Sequence, residues 1–384
     1  MRFLHRHSVH ILLIAVFGLL VLGIVMLFST SAFAQDSHGD TYYFVKRQFV
    51  WLGIGMFCCL AGALIDYHWW EKTWAVWLGI SLLLLVLCFI PNIGMKINGS
   101  WRWINLRILV LQPSEITKLA LVFFLAWWFS RFENHPKRLL MEFVAPAAVV
   151  SIPIVLIAKE VDLGTTFLIL ITIFLIMYVA GVSLRWLIPV AVGGLGSILF
   201  IALHMHERAN RLLAFLHPEQ YRLSEGLQQW QALIAFGSGG LQGLGLGEGR
   251  QKYLYLPYAH TDFIFAMIGE ELGLVATLAV VFSYLLICLC GSLTSINAQD
   301  RFGTLLGYGL TMLVTIQAII NIGVTLSLLP NKGMPLPFIS YGGSNLSVCL
   351  FAVGILINIH RMGRPLDRIS PHLQVGINML TKRI

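Results

Sequence analysis

The sequence predicts an all-α integral membrane protein, a polytopic bundle of about ten transmembrane helices with a large extracytoplasmic loop between helices 7 and 8. Three observations carry that reading. Only 11% of the 384 residues are charged and 58% are apolar, at a mean hydropathy of +0.80, whereas a soluble domain has about 25% charged residues. Apolar stretches close to the ~20 residues that cross a bilayer recur almost end to end. Strand-like alternation is missing, and in lipid each backbone amide must be satisfied within its own segment, so these runs predict helices rather than barrel strands.

The first run, Ile11 to Phe28, follows Arg2 and Arg6 and precedes Ala32-Phe33-Ala34, which resembles a signal-peptidase site. It exceeds the roughly 7–15 residues of a signal core, so it is expected to stay as a first helix over 11–33. Further spans are expected at 47–66, 73–92, 113–130, 142–158, 164–183, 186–204, 263–290, 303–327 and 344–360. The sixth and seventh are divided by little more than Ser183-Leu184-Arg185. The chain is thus expected to be one transmembrane domain, 1–361, holding the outer loop 205–262 and followed by a cytoplasmic basic tail, 362–384. An even number of spans puts both termini on one side. Arg131, Lys137, Arg138, Arg361, Arg364 and Arg368 mark that side as the cytoplasm, so the chain is expected to be multi-pass in the cytoplasmic membrane. Opposing cations (Arg208, Arg211, Arg222, Arg250 and Lys252 in the long loop, Lys96, Arg102 and Arg107 in residues 93–112) count poorly toward topology and need an explanation of their own.

Several function classes fall away. The net charge of +8 is scattered over helix ends, with no basic cluster interleaved with aromatics, which excludes nucleic acid as a partner. All six cysteines lie in apolar segments, so neither a disulfide framework nor a zinc site is indicated. The glycines from Gly237 to Gly249 contain no dinucleotide or Walker frame. His204 and His206 stand two apart, unlike a helical metal pair, and no metal ligand set is expected.

Few acidic residues lie at membrane depth. Asp262 sits where the long loop enters the eighth span, in His260-Thr261-Asp262-Phe263. It can cap that helix, or it can be a reactive carboxylate at the membrane–water boundary, near Arg250 and Lys252 of the same loop. Glu270 and Glu271 follow about 12–13 Å deeper along the helix, too far for a glycosidase-like carboxylate pair of roughly 5–9.5 Å. They read as structural partners of buried polar groups. Gln112-Pro113-Ser114-Glu115 starts a helix with proline at its first position, on which Glu115 and Lys118 can pair, or Lys118 can stand in a headgroup cavity. Asp162, before Leu163-Gly164-Thr165, caps another span. From Pro330 to Ser344 the backbone is broken by prolines and glycines, and its amides with Lys332 and Ser344 can hold an anion such as a phosphate.

These segments together resemble the SEDS family (shape, elongation, division and sporulation). The matching pieces are Asn98-Gly99 with Arg102-Trp103-Ile104, Gln112-Pro113-Ser114-Glu115 with Lys118-Leu119-Ala120, Asp162-Leu163-Gly164-Thr165, Ala259 to Phe265 with Glu270-Glu271, and Pro337 with Ile339-Ser340-Tyr341-Gly342-Gly343-Ser344. They occur in the family's order across nearly the whole membrane core. Ile268 to Gly273 and Lys332-Gly333 lean to the division branch, while Pro335-Leu336-Pro337-Phe338 leans to the elongation branch.

The resemblance implies an inverting glycosyltransferase. It would polymerise lipid II into β-1,4 glycan strands at the outer face of the membrane, at the division septum, with undecaprenyl pyrophosphate leaving. Asp262 would be the catalytic carboxylate. Arg102, Arg250, Lys252 and Lys332 would surround the departing charge, and Glu115, Lys118, Asp162, His260, Thr261, Ser340 and Ser344 would complete substrate binding. The resemblance fixes no cofactor, and a divalent cation (Mg or Mn) could assist pyrophosphate departure. The expected partners are a class B penicillin-binding transpeptidase of the FtsI-like kind, acting in trans, and other divisome membrane proteins. A lipid II flippase and a silent scaffold are the rival readings.

Overall fold

The computed structural model describes residues 2–31, 40, 42–91, 93–97, 100–105, 110–131, 143–160, 162–204, 213–215, 219–253 and 255–363. Ala32 to Ala34, Asn98, Gly99, Arg107, Lys137, Arg138, His206, Arg208, Arg211 and the tail 364–384 lie outside the described residues.

Eleven long helices form among the described residues: α1 (Arg2–Ser31), α2 (Tyr43–Leu64), α3 (His68–Leu87), α4 (Pro113–Arg131), α5 (Ala145–Lys159), α6 (Leu163–Val179), α7 (Leu184–His204), α8 (Leu227–Gly239), α9 (Ile264–Ile296), α10 (Arg301–Thr325) and α11 (Gly343–Met362). All but α8 coincide with an expected span. Six of them (α1, α2, α3, α9, α10 and α11) are long and apolar enough to cross a membrane. The apolar helices α5 and α6 are shorter, and α4 carries the Glu115–Lys118 pair that lowers its hydropathy. The division between α6 and α7 is real, and Gly181 makes the turn at φ 92°.

One element corrects the all-helical expectation. Between α3 and α4 the described residues form a three-stranded antiparallel sheet, β1 (Gly94–Ile97), β2 (Ser100–Asn105) and β3 (Val110–Leu111), with Lys96 opposite Trp101 and Ile104 opposite Leu111. Its strands are too short, and too disturbed by a bulge at Met95/Lys96, for alternation to announce them. The long loop also holds a helix of its own, α8, which lies against α9.

Burial runs opposite to that of a soluble protein. Ile14, Phe17, Phe57 and Val275 are exposed on the outer helices, where they face lipid. The interior belongs to α4, α10 and α11, which are buried along most of their length and carry Lys118, Gln317, Asn321 and Asn345 inward. Around them, α2 packs along α11, α1 along α9, and α3 against α4. The α9 helix is broken at Gly273, whose φ of 77° a side chain rarely adopts and whose missing Cβ would meet the Gly243 nitrogen at 2.4 Å.

Candidate active site

Four connections on one side of the bundle converge: α3 to α4, α5 to α6, α7 to α9, and α10 to α11. Asp262 lies at their meeting point, half-buried. It does not cap α9, because Phe263 holds the N-cap position without a side-chain bond. The backbone around it is clamped instead. Asn321 Nδ2 donates to the carbonyl of Asp262 at 2.8 Å and to that of Met334 at 2.6 Å. Ser340 Oγ donates to the Thr261 carbonyl at 2.6 Å, and Tyr341 N–H donates to the His260 carbonyl at 3.1 Å. Thr261 Oγ1 turns back to the Tyr258 carbonyl, and the His260 ring packs 4.3 Å from that of Phe44.

The broken 330–342 segment therefore fixes the main chain of 260–262 while leaving the carboxylate of Asp262 without a side-chain hydrogen bond among the described residues. Gly333 makes room for it, since a Cβ there would stand 2.3 Å from Asp262 Oδ2. Gly333→Ala is accordingly expected to lower strand synthesis at least tenfold with little loss of folded protein. The displaced carboxylate no longer sits where a reacting hydroxyl would meet it. Activity and yield of the purified variant check this.

Asp162 is the second carboxylate, and it is fully occupied. It caps α6, accepting from Thr165 N–H at 3.2 Å and Thr165 Oγ1 at 2.8 Å, and it accepts from Gln112 Nε2 at 3.2 Å. Arg102 Nη1 and Lys332 Nζ approach it at 3.7 and 3.8 Å. The stem of Lys332 crosses directly over Gly164, whose Cβ would meet Lys332 Cγ at 2.6 Å. Burial pushes the Asp262 carboxyl up to about 6; the charges of Arg102 and Lys332 oppose that rise and Asp162 adds to it.

Of the four outer cations expected around a departing anion, Arg102 and Lys332 join Asp262. Lys252 is placed elsewhere. It is buried, with Nζ donating to Glu271 Oε1 at 2.9 Å, to Ser29 Oγ at 3.0 Å and to the Gly247 carbonyl. Adjacency in the sequence groups it with Asp262, and says nothing about the glutamate about two and a half helix turns further in. Arg250 contributes its backbone N–H to Glu270 at 2.9 Å while its side chain is exposed. Glu270 and Glu271 are thus structural partners of the 247–252 loop, as expected.

Beneath the site lies a buried polar quartet. Lys118 Nζ donates to Glu115 Oε2 at 2.7 Å and Gln317 Oε1 at 2.9 Å, and Asn345 Nδ2 donates to the same two acceptors at 2.9 and 3.1 Å. Gln317 Nε2 then reaches the Pro335 carbonyl at 2.8 Å. The Glu115–Lys118 pair is buried inside this network, and Lys118 also lines a narrow apolar cleft between α4, α6 and α10. Ser344 Oγ accepts from Gln112 N–H at 3.4 Å, joining the starts of α4 and α11. Gln317 and Asn321 were not singled out from sequence, and Gln112 and Gly333 entered only as parts of motifs. Two amides four residues apart in an apolar helix, Gln317 and Asn321, were the signal available.

The donor set does not fit a divalent cation. Asp162 already serves Thr165 and Gln112, and two cationic side chains flank the two carboxylates. Among the described residues, His68, Glu71 and Asp300 place ligand atoms within 4.8 Å of one another, but at the opposite ends of α3 and α10.

The chain is similar to several known proteins over nearly its whole length. It is 39% identical over 357 residues to a probable peptidoglycan glycosyltransferase FtsW of Geobacter metallireducens, covering 93% of this chain and 95% of the relative. With stage V sporulation protein E of Bacillus subtilis it shares 36% over 356 residues, 92% and 97% of the two chains. A chain from a solved structure on the coordination of polymerization and crosslinking by a peptidoglycan synthase complex superposes with a TM-score of 0.74 at 25% identity, covering 91% of this chain and 96% of that one. The rod shape determining protein RodA of Thermus thermophilus gives 0.69 at 25% identity, covering 92% and 97%. The family model for FtsW, RodA and SpoVE, described as cell cycle protein, matches residues 10–364, and the chain belongs to that family.

Proposed function

We propose that this protein is a peptidoglycan glycosyltransferase that polymerises lipid II at the outer face of the cytoplasmic membrane, for septal synthesis in division. One observation carries the reading: a carboxylate free of side-chain hydrogen bonds among the described residues, held by its backbone, flanked by Arg102 and Lys332. The acceptor sugar hydroxyl attacks C1 of the donor sugar, and Asp262 takes its proton as the new C–O bond forms. The bond from C1 to the pyrophosphate oxygen breaks, and its electron pair leaves with undecaprenyl pyrophosphate. Arg102 and Lys332 stabilise that charge. A pyrophosphate departs without protonation, so one carboxylate suffices, and attack from the opposite face turns an α-linked donor into a β link.

With ten spans and both termini cytoplasmic, Asp262 faces the outer side, and the helices found at the expected spans support that reading. The division relatives support the septal role. The similarity to a chain from a synthase complex that polymerises and crosslinks supports a class B transpeptidase as partner. Purified protein with its cognate transpeptidase and labelled lipid II is expected to yield glycan strands. Translocation of lipid II across vesicles without strand synthesis would overturn the assignment in favour of a flippase.

A further inference from the structure

Glu160 ends α5 two residues before Asp162 and takes no part in the chemistry above. Its side chain is sealed from solvent, 1% exposed. Apart from the weakly donating Cys88 thiol, neither carboxyl oxygen has a hydrogen-bond partner among the described residues, and it forms no ion pair there. Three groups face it: the Cys88 thiol from the end of α3, Arg102 from β2, and Asp162 on its own connection. The Arg102 guanidinium directs Nη1 to Asp162, while its Nε–H, also buried, is without an acceptor. Glu160 therefore lies beside a guanidinium that is committed to another carboxylate. An ionised carboxylate buried with no cation of its own and only a thiol to donate to it is so costly that it takes up a proton instead. Burial, with the charge of Asp162 behind it, pushes Glu160 up to about 8 against an ordinary value of 4.5.

Resting on the polymerase reading, we propose that Glu160 is a positioning residue that works as a neutral acid, leaving Arg102 to Asp162 and to the anionic donor. With Glu160 neutral, the two cations Arg102 and Lys332 face two carboxylates. Ionised, it becomes a third negative charge, competes with Asp162 for Arg102 and repels an incoming pyrophosphate. The group acts through Arg102 and Asp162 without touching the substrate. Its ionisation gives the enzyme an alkaline limit.

The test is a pair of pH profiles on the purified enzyme–transpeptidase complex, wild type against Glu160→Gln, the neutral isostere. Wild-type strand synthesis is expected to fall about tenfold from pH 7 to pH 9, and the Gln variant less than about twofold. Parallel profiles overturn the proposal. Melting in detergent supplies a readout that needs no turnover. Below pH 4.5 Glu160 is protonated in both folded and unfolded chains. Between 4.5 and about 8 only the folded chain keeps the proton, so stability falls as pH rises through that window and levels above it. Wild type is expected to lose melting temperature there relative to Glu160→Gln, and equal losses overturn the proposal. A wild type that makes no strands overturns the polymerase reading, while the melting comparison still decides whether Glu160 holds a buried proton.

Discussion

Asp262→Asn is expected to lower strand synthesis by about 10²–10⁴-fold, the contribution of a positioned general base. The substitution is nearly isosteric, and the carboxylate makes no side-chain hydrogen bond among the described residues that the amide would break. The bonds that hold the segment, from Asn321, Ser340 and Tyr341, all end on backbone carbonyls and persist. Yield and melting temperature should therefore match wild type while product disappears. The same residue sets the acid side of the pH profile. A carboxyl raised to about 6 by burial accepts a proton from substrate only when ionised, so the rate should drop about tenfold per unit below that pH and be level just above it. A variant as active as wild type, or an unchanged rate at pH 5, would exclude Asp262 as the base.

The second large effect concerns stability. Glu115→Ala leaves the Lys118 ammonium buried, with Gln317 as its remaining partner among the contacts described above. Breaking a buried ion pair on one side costs about 3–5 kcal/mol, a large fraction of what holds a domain folded. The variant should aggregate on mild heating in detergent, as followed by size-exclusion chromatography. Because the quartet also ties Pro335 through Gln317, activity should fall with it. Replacing both members, Glu115→Leu with Lys118→Met, removes the stranded charge and should recover much of the melting temperature, though not the activity. A single variant as stable as the double one would show that the pair is not what stabilises the centre of the bundle.

The positions of the ten helices at the expected spans were legible because lipid leaves the chain so few options: a crossing needs a long run poor in charge. Asp262 was legible too, as an acid where a loop meets a span. Its company was not. Arg102, Asp162 and Lys332 come from three different connections, and nothing local to any of them states that β2, the α6 cap and the 330–342 segment meet. Lys252 lies ten residues from Asp262 in sequence and was grouped with it for that reason, yet pairing with Glu271 across the loop prevailed. Glu160 gave no sign at all, since a glutamate next to a lysine at a helix end ordinarily faces water. The β1–β3 sheet escaped because three short strands carry too little period to rise above the aromatic and glycine pattern around them.

The break at Gly273 divides α9 into an upper segment, 264–272, and a lower one, 274–296. The upper segment is fastened to the outer loop through the Glu270 and Glu271 carbonyls, which accept from Leu244 and Gly245. The lower segment presents Val275, Leu278, Phe282 and Leu285 to the acyl chains. The first residue of that lower segment is tied to the same loop, Leu274 N–H donating to the Gly240 carbonyl at 3.0 Å. One short stretch of loop, 240–245, thus braces both halves of the helix that begins beside Asp262.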